Sequence, residues 1–371
     1  MPRPRVLSVP ERLDAHPEFE GRGVTIAFVD AGFFAHPDLM RPEKRIRAFV
    51  DVTRDVPQGS EFFTPHPRAW HGTMTSCAAA GNGYMSGGRY RGLASASEVV
   101  LIKASTDAGE ILGKNVAAAM RYVLNHKELG VRIVNVSMGV EPDDPHVKDV
   151  EKAVRDLVAA GITVFAAAGN SPGNPPEPPG CCLESITVGG GNDGNTSDTD
   201  DDQPWPSSHG MVHPGVHKPD LLAPAFWLPA SMLPGTLVAR EAAALFQVLS
   251  VLEEITAEQT YRAEAGAQVD CDDRDDALAF TAAIEARIER GKYIAPETQH
   301  VDGTSFASPI VAAIAAQMLE ADPSLTPALL REGLLGTAVP IPKIDRAQQG
   351  AGVVRARAAV EWARARAAGK R

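Results

Sequence analysis

The sequence predicts an α/β fold, a doubly wound and mostly parallel sheet flanked by helices, with a helical hairpin inserted late in the chain. Three observations predict it. Short runs of near-continuous apolar character recur, as strands covered on both faces require. Segments with helical periodicity lie between them. One long stretch, 235–298, breaks the alternation with two helical patterns of its own.

In chain order, an N-terminal arm of residues 1–22 precedes the first strand, "VTIAFV" (24–29). Further buried strands are expected at "VVLIKA" (99–104), "RIVNVS" (132–137), "ITVFAA" (162–167) and "ITVGG" (186–190). Between them, Val116, Met120, Val123 and Leu124 share one helical face, and Val147, Val150, Val154, Leu157 and Val158 share another, with Gly161 as the stop. The Gly- and Asp-rich stretch 189–210 reads as a solvated surface loop; its carboxylates could bind calcium but lack the spacing of a calcium loop. In 235–298, Leu245, Val248, Leu249, Leu252 and Ile255 lie on one face. An acidic break follows, then Leu278, Ala282, Ile284 and Ile288. The whole chain, 1–371, reads as one domain carrying this insertion.

Composition bounds the function. With 371 residues, 44% hydrophobic and 22% charged, the chain can bury a large core. Its net charge of −11 argues against a nucleic acid or an anionic membrane as partner. The N-terminus lacks an apolar core of signal-peptide length, and no later segment reads as long and apolar enough to span a bilayer. The expectation is a cytoplasmic protein, or a secreted one whose export signal has been removed. Cys77, Cys181, Cys182 and Cys271 are too few and too irregular for a disulfide framework or a zinc site; the adjacent pair reads as ordinary small hydrophobes.

Four residues stand where chemistry would be placed. Asp30 ends the first strand in "VDAG", which suits a catalytic carboxylate or a simple turn cap. His71 opens a small-residue helix in "HGTMTSCAAAG", where the helix dipole would oppose protonation; a plain helix-end histidine is the competing reading. Asn170 follows a strand and a glycine in "AAAGN", and is either a turn residue or an amide donor for a developing oxyanion. Ser305, in "DGTSFASP", sits at a helix start, as an N-cap or as a nucleophile whose own N–H supplies a second donor; Gly303 clears space, and Pro309 falls within the expected first turn.

Together with "VNVSMG", "KPDLLAPA" and "GAGVVRARAAV", these motifs resemble the subtilase family of serine peptidases over most of the chain. The resemblance implies Ser305 as nucleophile, His71 as general base and then acid, and Asp30 as the group orienting the imidazole. It implies Asn170 as side-chain oxyanion donor, with Thr304 assisting. It further implies that Ser137, Met138 and Gly139 line the pocket for the residue before the scissile bond, and that the segment around Asp107 and Gly109 pairs with the substrate backbone. The acids at Asp107 and Glu110 suit basic substrate residues, or are solvated surface charge. The family usually has Thr or Ser where Ala31 stands. Asp38 matches one ligand of the family's calcium site, but one carboxylate is not a site; the expectation is that no cofactor is required, with calcium left open. The short stretch before Asp30 leads to the expectation of no propeptide of family size, with restraint coming from the arm or the insertion, or else of a form that is already mature. The partner is a protein or peptide substrate, with self-association through 235–298 as a further expectation.

An α/β-hydrolase is excluded: Ala307 breaks G-x-S-x-G, and the serine comes last. The remaining alternative is a non-catalytic peptide-binding protein on the same scaffold. A dedicated processing peptidase with restricted cleavage is favoured over a general degrader.

Overall fold

The structure, a computed structural model, describes residues 5–54, 60–264 and 271–369. Its centre is an eight-stranded sheet. Strands β1 (Thr25–Asp30), β2 (Ile46–Asp51), β3 (Glu98–Lys103), β4 (Val131–Val136), β5 (Thr163–Ala167) and β6 (Ile186–Asn192) and the edge strand Leu221–Pro224 are mutually parallel. Gln203–Pro204 pairs antiparallel with β6. The order is Leu221–Pro224, β6, β5, β4, β1, β3, β2. From β1 the chain goes first to the edge strand β2, returns to β3 between them, and then crosses to β4 and winds outward on the other side; the crevice at the carboxyl ends of β1 and its neighbours is where such sheets bind ligands.

Both faces of the sheet are covered. Ile26 and Phe28 point into one core with the Trp70–Ala80 and Thr304–Ala321 helices; Ala27 and Val29 point into the other with the Gly113–Asn125 and Val147–Ala159 helices. This two-sided burial is why the strands read as continuous apolar runs. The two amphipathic helices bury the expected stripes, with Leu124, Val147 and Val158 only partly covered, and Gly161 ends the second at φ +84°.

Several expectations change. Thr304–Ala321 is, by length and composition, apolar enough to cross a membrane, which corrects the sequence reading; 89% of it is buried against the sheet as a core helix. Pro309 lies beyond that helix's first turn, because the helix begins at Thr304. In the 189–210 stretch, Asp193 and Asp202 are buried rather than solvated. Asp193 pairs with the buried Arg12 (Nε to Oδ2, 2.8 Å) and Asp202 with Arg355. Arg12 also donates to the carbonyls of Phe226 and Trp227 at 2.9 and 3.0 Å, so the arm is fastened to the body.

The 235–298 stretch forms the helices Leu237–Glu264 and Cys271–Arg290, packed on each other, and joins strand Leu228–Ser231 to its antiparallel partner Thr298–Val301. Ala242, Leu249 and Ile288 enter the main core. Val248, Ile255 and Leu278 are exposed, as is Ala282, so the expected faces are only partly buried, mainly near the hairpin's base. The acidic break ends in the exposed Asp276, and the side chains before it, 269–275, lie outside the described residues.

Candidate active site

Asp30 is buried at the carboxyl end of β1. Its Oδ1 lies 2.7 Å from His71 Nδ1 and accepts the Ala31 N–H at 2.6 Å, and its Oδ2 accepts the Thr75 hydroxyl at 3.1 Å. The Ala31 backbone thus supplies a local hydrogen bond although the side chain has no hydroxyl. His71 is the second residue of the Trp70–Ala80 helix. That helix meets β1 only because residue 72 is glycine: a Cβ there would lie 2.4 Å from the Gly32 carbonyl oxygen and 2.9 Å from Asp30 Cβ. With Nδ1–H donated to the carboxylate, Nε2 is left as the basic nitrogen.

Burial lowers the His71 pKa, while the Asp30 charge and hydrogen bond raise it; the balance lies above the ordinary histidine value. The expectation of a pKa suppressed by the helix start is therefore corrected. The adjacent carboxylate is the stronger influence, favouring the imidazolium that forms when the base accepts a proton.

Ser305 is the second residue of the Thr304–Ala321 helix, where backbone N–H groups have no intrahelical acceptor. Gly303 precedes it at φ +129°. A Cβ at Gly303 would stand 3.3 Å from Ser305 Oγ and 3.3 Å from Asn170 Nδ2, so the absent side chain leaves open the space between hydroxyl and amide. Asn170 Oδ1 accepts the Thr304 N–H at 3.0 Å and its hydroxyl at 2.9 Å, which leaves Nδ2 to donate into that space. The Thr304 hydroxyl also accepts the Gly169 N–H at 3.0 Å. Thr304 therefore orients the Asn170 amide through both its N–H and its hydroxyl. His71, Asn170, Thr304 and Ser305 line one pocket of about 200 Å³.

The subtilase family profile matches residues 21–356. The chain belongs to the subtilase family. It is similar to "Serine protease AprX" of Bacillus subtilis (strain 168), 28% identical over 326 residues, which covers 84% of this chain and 60% of that protein. It is also similar to "Subtilisin-like protease 11" of Arthroderma benhamiae, 32% identical over 157 residues, which covers 41% of this chain and 34% of that protein. The subtilase chain thus spans no more than about three fifths of the length of these relatives.

The remaining site residues of this subtilase divide. Met138 and Gly139 line the pocket. Ser137 lines it too, but its hydroxyl donates to the Ser305 carbonyl at 2.8 Å. That carbonyl is available because Pro309, four residues on, has no N–H to donate to it. Asn135 donates to Ser137 Oγ at 2.8 Å and accepts from Ser308 at 2.7 Å, completing a buried network beneath Ser305. Asp107 and Gly109 are not in the pocket. Asp107 borders a neighbouring cleft of about 420 Å³ with Arg54 and Lys103. Hydrogen bonds from Arg54 and Lys103 hold its carboxyl down at about 2, so its charge is already matched. Gly109, at φ +89°, turns a tight hairpin closed by the Ser105–Ile111 bridge. Glu110 accepts from the Thr106 hydroxyl at 3.1 Å.

Thr75, Asn135, Ser308 and Glu177, the last also lining the pocket, were not singled out by the sequence reading. Thr75 had a signal, since it lies one helical turn after His71. The other three follow no local pattern.

Calcium does not fit at Asp38. Its Oδ1 accepts the Met85 N–H at 2.9 Å and its Oδ2 the Ser231 hydroxyl at 2.6 Å. The neighbouring donor groups are His36 and Cys77. His36 Nδ1 accepts the Asp38 N–H while Nε2 bonds the Met232 carbonyl; burial pushes the Cys77 thiol well up. Calcium takes six to eight oxygen ligands. Here the carbonyls of Asp38, Ala80 and Ser97 instead accept from the Arg45 guanidinium at 2.5, 2.6 and 2.9 Å.

Proposed function

We propose that this subtilase is a serine endopeptidase with restricted, processing-type specificity. The reading is carried by one observation, the convergence of Asp30, His71, Asn170 and Ser305 around a single pocket. In this reading Ser305 Oγ attacks the scissile carbonyl and His71 Nε2 takes its proton, later delivering it to the leaving amine. Asp30 keeps the imidazole in the required tautomer and stabilises its charged form. The oxyanion is received by Asn170 Nδ2 and the Ser305 N–H; removing one such donor typically costs about 10² to 10³ in kcat. The small pocket supports restriction, because it admits one side chain of limited size. The peptidase unit comprises the whole chain, with 235–298 as an insertion between two of its strands.

The test is fragment mapping by mass spectrometry after incubation with an unfolded protein and a peptide library. The reading predicts cleavage at few, related sequences, abolished in Ser305→Ala. Binding of peptides without hydrolysis would favour the non-catalytic alternative, and cleavage at many unrelated sites would contradict restriction.

A further inference from the structure

The geometry points to Glu177 as the residue that selects the substrate side chain entering the pocket, and to Lys or Arg as that side chain. The inference rests on the peptidase reading above and names its substrate class.

Glu177 is the one carboxylate among the residues lining the pocket that also holds His71 and Ser305. The walls around it, at Met138, Gly139, Ala168 and Gly169, bring no side-chain charge. Its position is built rather than incidental. A Cβ on Gly139 would come within 2.4 Å of Glu177 Oε2, so the carboxylate end of this exposed side chain lies over the Gly139 α-carbon. The backbone carrying it, "PPEPPG", is stiffened by prolines at 175, 176, 178 and 179. The Val140 N–H donates to the Pro178 carbonyl at 2.8 Å, tying this run to the Met138–Gly139 wall. The backbone beneath the acid is therefore held beside the pocket that a substrate side chain would enter, with the Glu177 side chain itself exposed.

The charge also lacks a partner. Among the described residues no Lys, Arg or His forms an ion pair with Glu177, in contrast to Asp107, whose charge is matched by two cations. The Glu177 side chain is exposed, yet desolvation against the pocket wall, with the charge of Glu141 adding to it, raises its pKa. A cationic side chain in the pocket relieves both effects, an uncharged one relieves neither, and an anionic one adds a third like charge.

The test compares kcat/KM of the full chain at low salt on peptide substrates identical except before the scissile bond, where they carry Lys, norleucine or Glu. The expected order is Lys, then norleucine, then Glu, with Lys favoured over norleucine by at least about tenfold. In Glu177→Gln the Lys-to-norleucine ratio falls about tenfold or more, and in Glu177→Lys the Glu substrate overtakes the Lys substrate. Labelling of each variant by a norleucine phosphonate reports that Ser305 and His71 remain assembled. If a variant does not label, the wild-type ratio alone decides. A wild-type ratio near one, or a ratio unchanged in a labelled Glu177→Gln, overturns the role of Glu177 and leaves the peptidase reading standing. Absence of both hydrolysis and labelling in the wild type overturns both.

Discussion

Gly72→Ala is the mildest change that tests how this site is assembled. The added methyl would stand 2.4 Å from the Gly32 carbonyl oxygen, about 1 Å inside ordinary contact, and 2.9 Å from Asp30 Cβ. The first obstacle is backbone and the second is the base of the Asp30 side chain, so neither can swing away. The Trp70–Ala80 helix must retreat from β1, carrying His71 from Asp30 and Ser305. Overpacking of this kind costs about 1–3 kcal/mol of stability. A displacement of about 1 Å at a reacting group costs about 10² in rate. The expected result is a loss of about 100-fold or more in kcat/KM with a melting temperature only a few degrees lower. The assay pairs peptide hydrolysis with thermal unfolding. Activity within about threefold of wild type would refute the claim that helix-to-strand contact at Gly72 sets the His71 position.

Asp30→Asn removes what raises the His71 pKa and leaves the burial that lowers it. In the wild type, kcat/KM rises with pH through a midpoint above about 6.5; in the variant the midpoint moves down and kcat falls about 10⁴-fold, both read from pH–rate profiles. The same shift has a stability sign. The Asp30–His71 pair contributes fully below about pH 6.5 and is lost as pH rises through the raised folded pKa, measurable by urea unfolding of Ser305→Ala against pH. Arg12→Met strands the buried Asp193 carboxylate and should cost about 3–5 kcal/mol in urea unfolding. Arg45→Met should lower the melting temperature by leaving three carbonyls short of a donor, whereas calcium chelation should leave the wild type unmoved through the Asp38 region.

Legibility in the sequence followed the range of the forces involved. The five strands found by reading are those covered on both faces, where burial imposes a continuous apolar run. β2 escaped notice because it is an edge strand whose "IRAFVD" includes exposed and charged positions; Leu221–Pro224 is short and ends in proline. Asp30, His71, Asn170 and Ser305 were legible because close packing around each requires adjacent glycines and small residues. Asp193 and Asp202 were misread as solvated because their partners, Arg12 and Arg355, lie near opposite ends of the chain. Glu177 was invisible for a similar reason: only the fold lays it over Gly139. The long hairpin helix was read as having one apolar face, but its apolar residues divide between a packed set, Leu249 and Leu252, and exposed Val248, Val251 and Ile255.

The central claim is that Ser305 is a nucleophile activated by His71 and Asp30. The direct measurement is mass-spectrometric mapping of the adduct formed with a serine-directed phosphonate. The account predicts one adduct, on Ser305, with labelling slowed by orders of magnitude in His71→Ala. An unlabelled wild type, or an adduct that forms equally fast without His71, would contradict it.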